Sequence, residues 1–235
     1  MLKQALEYIV GLGEAKKHEI GEFTYSDKPL HLVTEPTAET IVVHSLDGII
    51  EFILNGHGFQ FPLIVHVQSP TKVRVIGEPT SGRKWNEFIR AEALLPTIPF
   101  GRFLDIEEFN ILLQSCFVPN DDRAAVLKVV GNIKEEDVRT TGDNGVSQVV
   151  TAKTGVATVE DVLVPNPVML KPYRSFVEIE QPESGFILRM RSGPAAALFE
   201  ADGGEWKLTA MARIKKYLMD ALNPLIEGEQ VTIIG

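Results

Sequence analysis

Three acidic residues near the C-terminal end of the sequence are the first candidates for chemistry. Glu200, Asp202 and Glu205 lie close together around Gly203-Gly204. Carboxylate oxygens are the ligands that divalent cations prefer, so these side chains together could hold a metal ion. The same turn leads from a predicted strand into a predicted helix, where Asp202 can act as a cap and acids suit the positive end of the dipole. We favour helix capping and keep the metal site as the alternative.

A second group combines aromatic and basic side chains on predicted strands. Its members, which could stack on bases and clamp the phosphates of a single-stranded nucleic acid, are Tyr173, Arg174, Phe176, Arg189 and Arg191. The chain as a whole is acidic, because 23 Lys and Arg residues stand against 32 Asp and Glu residues, a formal charge of −9. A broad phosphate-binding surface normally needs clustered positive charge. A solvated strand face is therefore the favoured interpretation, with nucleic-acid binding as the alternative.

No pattern of histidine, cysteine or glycine matches a catalytic or cofactor motif. The histidines lack the close spacing of metal ligands; they are His18, His31, His44, His57 and His66. Cys116 is in helical register with Leu112 and Leu113, which predicts a buried thiol. Thr141–Gly145 does not match a phosphate-binding loop, and its Asn-Gly pair is typical of a hairpin turn. The sequence thus predicts no catalytic residue and no cofactor.

Composition excludes several classes of protein. The single cysteine in 235 residues rules out a disulfide framework within the chain and a cysteine-rich zinc site, and it is typical of a reducing compartment. The apolar runs are short, since Glu51 interrupts one and His66 another, so no membrane span is predicted. The N-terminal segment carries Glu7 and lacks the apolar stretch of a secretory signal. We therefore expect a cytoplasmic protein that binds no membrane.

Apolar periodicity and capping residues predict five helices. They span residues 2–17, Ser45–Asn55, 105–117, Asp121 or Asp122 to Val130, and Glu205–Leu222. Ser45 is a typical N-cap residue, and Asp105 with Glu108 forms a capping-box pattern. Asn223-Pro224 is expected to end the last helix.

Alternating apolar residues between turn-forming residues predict a series of short strands. They are Pro62–Gln68, Lys72–Gly77, Trp85–Leu94, 146–153, Val156–Val164, Phe176–Glu180, Phe186–Arg191, Ala195–Glu200 and an edge strand at Val231–Ile234. The first two strands flank Ser69-Pro70-Thr71 and form a predicted hairpin. Residues 19–40 are polar and contain Pro29 and Pro36, so we expect a linker with one strand.

Grouped strands and helices without strict alternation predict an α+β fold. We expect N-terminal helices with a β-hairpin, followed by a C-terminal β-rich meander that a long helix closes. The predicted division is an N-terminal helix and linker over residues 1–40, a mixed α/β portion over 41–134, and a β-rich portion with the C-terminal helix over 135–235. The last two portions could form one continuous domain.

Several distinctive segments between Pro96 and Leu222 resemble a known family. They are Leu104–Asn110 with Gln114-Ser115, Val129–Ile133 with Thr141–Gln148, and, most distinctive, Pro172–Phe176, Glu180–Ser184 and Phe199–Trp206. Together they resemble the YfdQ-like family of uncharacterised phage and prophage proteins over more than half of the chain. The resemblance implies a bacteriophage or prophage product that works in the bacterial cytoplasm. It assigns no catalytic residue to any position of this sequence.

Three functions from different classes are consistent with the sequence. The first, which we favour, is a phage or prophage accessory protein that binds copies of itself or a host protein, with apolar strand residues such as Phe186, Leu188 and Met190 buried between subunits. The second is a nucleic-acid-associated early phage protein that assists recombination or replication through the aromatic and basic group. The third is a metal-assisted enzyme that uses the three acids of the turn.

Overall fold

The computed structural model describes residues 2–13, 15–20, 23–26, 38–79, 85–131, 140–143, 148–154, 158–164, 166–191, 193 and 195–235. Helices are combined with mixed sheets, so the fold is α+β as the sequence predicts. The chain divides into two units. Unit 1 comprises Met1–Ala38 and Pro79–Lys84, and unit 2 comprises Glu39–Glu78 and Trp85–Gly235.

Five helices and fourteen strands lie within the described residues. The helices are α1 (Leu2–Gly13), α2 (Leu46–Asn55), α3 (Ile106–Cys116), α4 (Asp121–Gly131) and α5 (Trp206–Glu227). The strands are β1 (Lys17–Ile20), β2 (Phe23–Ser26), β3 (Ile41–Val43), β4 (Leu63–Ser69), β5 (Lys72–Pro79), β6 (Trp85–Glu92), β7 (Leu104–Asp105), β8 (Thr140–Asp143), β9 (Gln148–Thr154), β10 (Thr158–Val164), β11 (Val168–Leu170), β12 (Ser184–Arg191), β13 (Ala195–Glu200) and β14 (Val231–Ile234).

Unit 1 contains α1 and a hairpin of two strands. β1 pairs antiparallel with β2, with Lys17 opposite Ser26. The helix predicted over residues 2–17 ends at Gly13, because glycine has a low helix propensity and a strand begins soon after it. The prediction of one strand in residues 19–40 is wrong, because residues 17–26 already form two paired strands.

A five-stranded sheet forms one half of unit 2. Its strand order is β14-β4-β5-β6-β3. β4 and β5 pair antiparallel as the predicted hairpin, whereas β14 runs parallel to β4 and β3 runs parallel to β6. The prediction of an edge strand at Val231–Ile234 is confirmed, and the strand predicted over Trp85–Leu94 forms but ends at Glu92. Alternate residues of β4 are buried, which places one face of this sheet against a core.

The helices α2 and α5 cover this buried face and form the first core with it. Ser45 caps α2 as predicted, since its hydroxyl accepts from Gly48 N at 3.1 Å, and Gly56 ends the helix with a left-handed φ of 65°. Burial of the apolar stripe of each helix then holds it on the sheet. The first core includes Leu46, Ile49, Ile53, Val65, Val73, Val75, Ile89, Ala210, Ile214, Leu218 and Leu222.

The last helix is longer than the sequence predicts. α5 continues to Glu227 with Pro224 inside it, so the prediction that Asn223-Pro224 ends the helix is wrong. A proline removes one backbone hydrogen bond from a helix, but here it falls near the end, where few such bonds remain. Leu225 and Ile226 pack against the first core, and this burial favours the additional turn.

A four-stranded sheet and two helices form the other half of unit 2. Its strand order is β11-β12-β13-β7, and α3 and α4 pack on it around the second core. Asp105 begins α3 as predicted, because its carboxylate accepts from Glu108 N at 2.8 Å. The second core includes Phe109, Leu113, Cys116, Phe117, Val126, Val130, Phe186, Leu188, Met190 and Leu198. The expectation that Phe186, Leu188 and Met190 are buried between subunits is therefore wrong, since α3 and α4 of the same chain bury them.

The remaining strands form a separate three-stranded sheet. β8, β9 and β10 pair antiparallel in sequence order, as expected for a meander. The strand predicted at Phe176–Glu180 does not form, because this segment turns and its backbone bonds to a buried amide side chain.

Some sequence predictions lie outside the described residues. They are the Asn144-Gly145 turn, the prolines Pro29 and Pro36, His31, and the boundary between residues 134 and 135. The second core nevertheless takes residues from both sides of that boundary, from Phe109–Val130 and from Val168–Leu198.

Candidate functional site

Arg174 brings the two groups of candidate residues together. Its guanidinium donates from Nη1 to Glu200 Oε1 at 2.8 Å and from Nη2 to Ser184 Oγ at 2.6 Å. The guanidinium also lies over the ring of Trp206, with Cζ 4.0 Å from the ring centroid, and 5.5 Å from the centroid of Phe186. A member of the basic group is thus the ion-pair partner of a member of the acidic turn.

Burial determines what Arg174 can do. Its side chain is 6% exposed, whereas that of Glu200 is 42% exposed. Burial lowers the pKa of the Arg174 guanidinium, and the carboxylates of Glu200 and Asp202 oppose this shift. An arginine side chain keeps its charge in proteins, so the buried charge needs this ion pair and the aromatic ring faces. Both terminal nitrogens are bonded, whereas Nε is buried without a hydrogen-bond partner among the described residues. The ion pair and the ring contacts give Arg174 the arrangement of a structural anchor.

One buried amide holds the loop that carries Arg174. Gln181 Oε1 accepts from the backbone N–H groups of Arg174 at 3.0 Å and Ser175 at 3.1 Å. Its Nε2 donates to the carbonyl of Phe176 at 2.8 Å. The Gln181 side chain forms hydrogen bonds with backbone groups that would otherwise need a neighbouring strand. This explains why the predicted strand at Phe176–Glu180 is absent.

The same loop is attached to the first core. Phe176 is buried there, and Ser175 Oγ donates to the carbonyl of Pro70, in the turn between β4 and β5, at 2.6 Å. Glu178 Oε1 accepts from Leu46 N, in the first turn of α2, at 2.6 Å. A carboxylate at this position also interacts favourably with the positive end of the helix dipole.

The loop is attached to the second core as well. Tyr173 N donates to the carbonyl of Cys116 at 2.9 Å, and Val118 N donates to the carbonyl of Lys171 at 2.8 Å. Residues 171–183, which we call the bridging segment, therefore connect the two halves of unit 2. The most distinctive segments of the sequence, Pro172–Phe176 and Glu180–Ser184, contain most of this bridging segment.

The acidic turn is engaged in local contacts. Asp202 Oδ1 accepts from Gly204 N at 3.1 Å and Oδ2 accepts from Trp206 N at 3.4 Å, so the predicted capping by Asp202 is confirmed. Glu205 precedes α5 and makes no capping bond with its side chain. Glu200 is the partner of Arg174. In the part of the chain that the structure describes, no group of three or more histidine, cysteine or acidic side chains is placed to hold a metal ion.

The five residues of the aromatic and basic group do not form one surface. Phe176 is buried in the first core, and Arg174 is buried in its ion pair. Tyr173 is half-buried in the bridging segment. Arg189 and Arg191 lie on β12, on the face turned away from the second core, because they alternate with its buried residues.

Two aromatic residues that sequence reasoning missed accompany these arginines. Phe103 lies under the guanidinium of Arg191, with Cζ 4.4 Å from the ring centroid. The rings of Phe103 and Phe199 meet edge to face, with their centroids 6.3 Å apart. The available signals were the neighbouring pair Arg102-Phe103 and the position of Phe199 at the end of β13, next to the acidic turn. We call Arg102, Phe103, Arg189, Arg191 and Phe199 the Arg–Phe face.

Four of the histidine and cysteine residues singled out from the sequence lie in unit 2: His44, His57, His66 and Cys116. The ring of His57 lies against that of Phe52, with the centroids 5.5 Å apart. Cys116 is buried in the second core, which confirms the prediction of a buried thiol. His66 Nδ1 accepts from Arg74 Nε at 3.2 Å, and burial together with the Arg74 charge lowers the pKa of His66. His44 Nδ1 lies 2.8 Å from the carbonyl of Glu92, and this contact continues the pairing of β3 with β6 beyond Val43. Each of these side chains thus has a structural contact.

Helix α1 has four large apolar side chains that are exposed. The exposed fractions are 79% for Leu2, 54% for Leu6, 69% for Tyr8 and 62% for Ile9. The helix has no acidic residue in its first turn and no basic residue in its last, so it lacks charges that would favour its dipole. Isolated helices of this length are marginal in water.

Comparisons with known proteins leave these observations to stand by themselves. No family model, no curated protein and no solved structure matches the chain. Among the described residues, no helix combines the length and apolar character required to cross a bilayer.

Proposed function

We propose that the protein acts by binding rather than by catalysis, and that it associates with copies of itself through α1. The observation that carries this proposal is the exposed apolar surface that Leu2, Leu6 and Ile9 form on one side of α1. Contiguous exposed apolar residues on a surface helix are typical of protein interaction sites. The candidate groups in unit 2 support the same choice, since Arg174, Glu200 and Asp202 make structural contacts.

The spacing of the apolar residues favours a second copy as the partner. Leu2, Leu6, Ile9 and Gly13 follow one another at intervals of four, three and four residues, the spacing of a helix–helix seam. No charged residue interrupts this seam, and a small residue at Gly13 would allow close approach of two backbones. Two identical seams are complementary under two-fold symmetry, the commonest arrangement of homo-oligomers.

The biological setting follows from the resemblance to the YfdQ-like family. On that basis we infer a phage or prophage accessory protein in the bacterial cytoplasm, with a host protein as a further binding partner. The acidic charge of −9 and the single cysteine are consistent with this setting.

The test is the molar mass of the full chain, measured by light scattering during size exclusion over a concentration series. We expect the wild type to be a dimer or larger, and Leu6→Glu to be monomeric because it places a charge in the seam. Gln4→Glu is the matched control, since it adds the same charge on the opposite side of α1 and should leave the mass unchanged. A monomeric wild type, or a Leu6→Glu protein with the mass of the wild type, would contradict self-association through α1.

A further inference from the structure

We propose that the Arg–Phe face binds single-stranded nucleic acid. This site goes beyond self-association and involves another part of the molecule. It lies on the four-stranded sheet of unit 2, on the side turned away from the second core. It combines arginine and phenylalanine side chains, although the protein as a whole is acidic.

The strand register assembles the face. Ile187 is opposite Phe199 and Arg191 is opposite Ala195 in the antiparallel pair of β12 and β13. Residues directly opposite one another share a face, so Phe199 lies on the same side as Arg189 and Arg191. Ala195 and Ala197 are buried on this side of β13, whereas Arg191 and Phe199 are exposed.

The segment before β7 adds the remaining residues. Gly101 N donates to the carbonyl of Leu198 at 2.7 Å, which fixes this segment beside β13. A Cβ atom at Gly101 would lie 3.6 Å from the ring of Phe199, so the backbone passes directly over the edge of that ring. Arg102 is exposed, and Phe103 supports Arg191 from below.

The charges at this face favour an anionic ligand. Within the described part of the chain, Arg102 and Arg191 form no ion pair, and the contact of Arg191 is with the ring of Phe103. Of the acids nearest in sequence, Asp105 accepts a hydrogen bond at the start of α3 and Glu200 pairs with Arg174, whereas Glu107 and Glu108 are exposed in the first turn of α3. Because Arg102 and Arg191 have no acidic partner among the described residues, both cations are available to phosphate groups.

The aromatic residue selects among anionic ligands. Phe199 is 37% exposed at the end of β13, next to the arginines. An exposed ring beside arginines is the combination that binds single strands, since bases stack on the ring and phosphates pair with the guanidinium groups. A double helix does not offer its base faces for stacking, and an acidic peptide offers charge without a base.

The test is fluorescence anisotropy of the full chain with a labelled oligothymidylate of about 12 nucleotides, a length within the range of single-strand binding sites. We expect binding at about 20 mM NaCl that weakens steeply as salt rises, because bound counterions are released. Phe199→Ala should weaken binding about tenfold through the loss of one stacked base. The double variant Arg102→Gln, Arg191→Gln should also lower the slope of log affinity against log salt by about 1.4, as expected for two lost phosphate contacts.

Two control variants separate this face from the rest of the surface. Trp85→Ala removes an exposed aromatic residue on β6, and Lys216→Gln removes an exposed cation on α5. Both should bind the oligonucleotide as the wild type does. The arginine variants change exposed side chains, so they test the proposal even if Phe199→Ala disturbs folding.

Three outcomes would overturn the proposal. The first is no binding at low salt, and the second is binding that the variants of the face leave unchanged. The third is equal affinity for a duplex of the same length or for a labelled oligoglutamate, which would point to an acidic protein partner instead of a single strand. Failure here leaves self-association through α1 untouched, because that is measured by molar mass.

Discussion

At the scale of single residues, hydroxyl and carboxylate groups join helices that are far apart in sequence. Tyr217 on α5 donates its phenolic proton to Asp47 Oδ1, in the first turn of α2, at 2.6 Å. This hydrogen bond, with burial and the charges of Asp47 and Glu178, raises the pKa of Tyr217 to about 12. Ionisation of Tyr217 would remove the donor and place two negative charges side by side.

The raised pKa of Tyr217 predicts a loss of stability at high pH. In the unfolded chain the group ionises with a pKa of 10.0, so the folded state holds the proton more tightly. The contribution to the free energy of unfolding is therefore complete below pH 10.0 and is lost as the pH rises towards about 12. Absorbance titration at a phenolate wavelength should show a late component that Tyr217→Phe removes and Tyr8→Phe retains. A late component that survives Tyr217→Phe would contradict the assignment.

At the scale of elements, the start of α5 depends on an acid located before the helix. Asp202 bonds to two backbone N–H groups, those of Gly204 and Trp206, whereas Glu205 has no capping bond although it is adjacent to the helix. Gly203 and Gly204 both have left-handed φ values, 61° and 86°, which lets the chain turn from β13 into α5. The turn thus positions Glu200 for Arg174 and Trp206 beneath it.

The contributions of Asp202 and Glu205 to the start of α5 can be compared through the free energy of unfolding. Asp202→Ala should lower the free energy of unfolding by about 1 kcal/mol, the usual contribution of a helix cap. Glu205→Ala, which removes an exposed acid from the same turn, should change it by less than about 0.5 kcal/mol. Urea denaturation of the two variants and the wild type gives both values. Equal losses in the two variants would mean that charge near the helix dipole, not capping, is the important effect.

At the scale of the whole of unit 2, the bridging segment joins two cores that are otherwise formed by different elements. Arg174 lies between Trp206, which packs on the first core, and Phe186, which is buried in the second. Phe176 inserts into the first core, while the backbone of Tyr173 bonds to the end of α3. Because one segment is buried against both cores, we expect the two halves to unfold together.

Truncation of the bridging segment should therefore destabilise the whole unit. Phe176→Ala should lower the free energy of unfolding by about 3–5 kcal/mol, as expected when a large buried side chain leaves a cavity. Val177→Ala is the matched control, because Val177 is the next residue and its side chain is 72% exposed. It should lower the free energy of unfolding by less than about 0.5 kcal/mol. The urea midpoint measured by tryptophan fluorescence and the midpoint measured by far-ultraviolet circular dichroism should shift to the same extent. Separate midpoints for the two signals in Phe176→Ala would contradict the coupling of the cores.

Local patterns in the sequence were sufficient to predict many of the elements. Ser45 and Asp105 begin helices because their side chains bond to backbone groups three residues away. The hairpin of β4 and β5 follows from alternating apolar residues on either side of a short turn. These features depend on neighbours in sequence, so periodicity and residue type were enough to find them. The same applies to the buried thiol of Cys116, which helical register placed on the apolar face of α3.

The sequence by itself determined the α+β class and the positions of many of the helices and strands, because hydrogen bonding and periodicity within each element are local. Tertiary structure alone decided that α5 packs on the sheet of β4 and β14, although it follows the strands of the other sheet. It also paired Arg174 with Glu200 and placed Phe103 beneath Arg191. Such contacts join residues that are distant in sequence, and each depends on the register and burial of several elements at once. No pattern along one element contains that information.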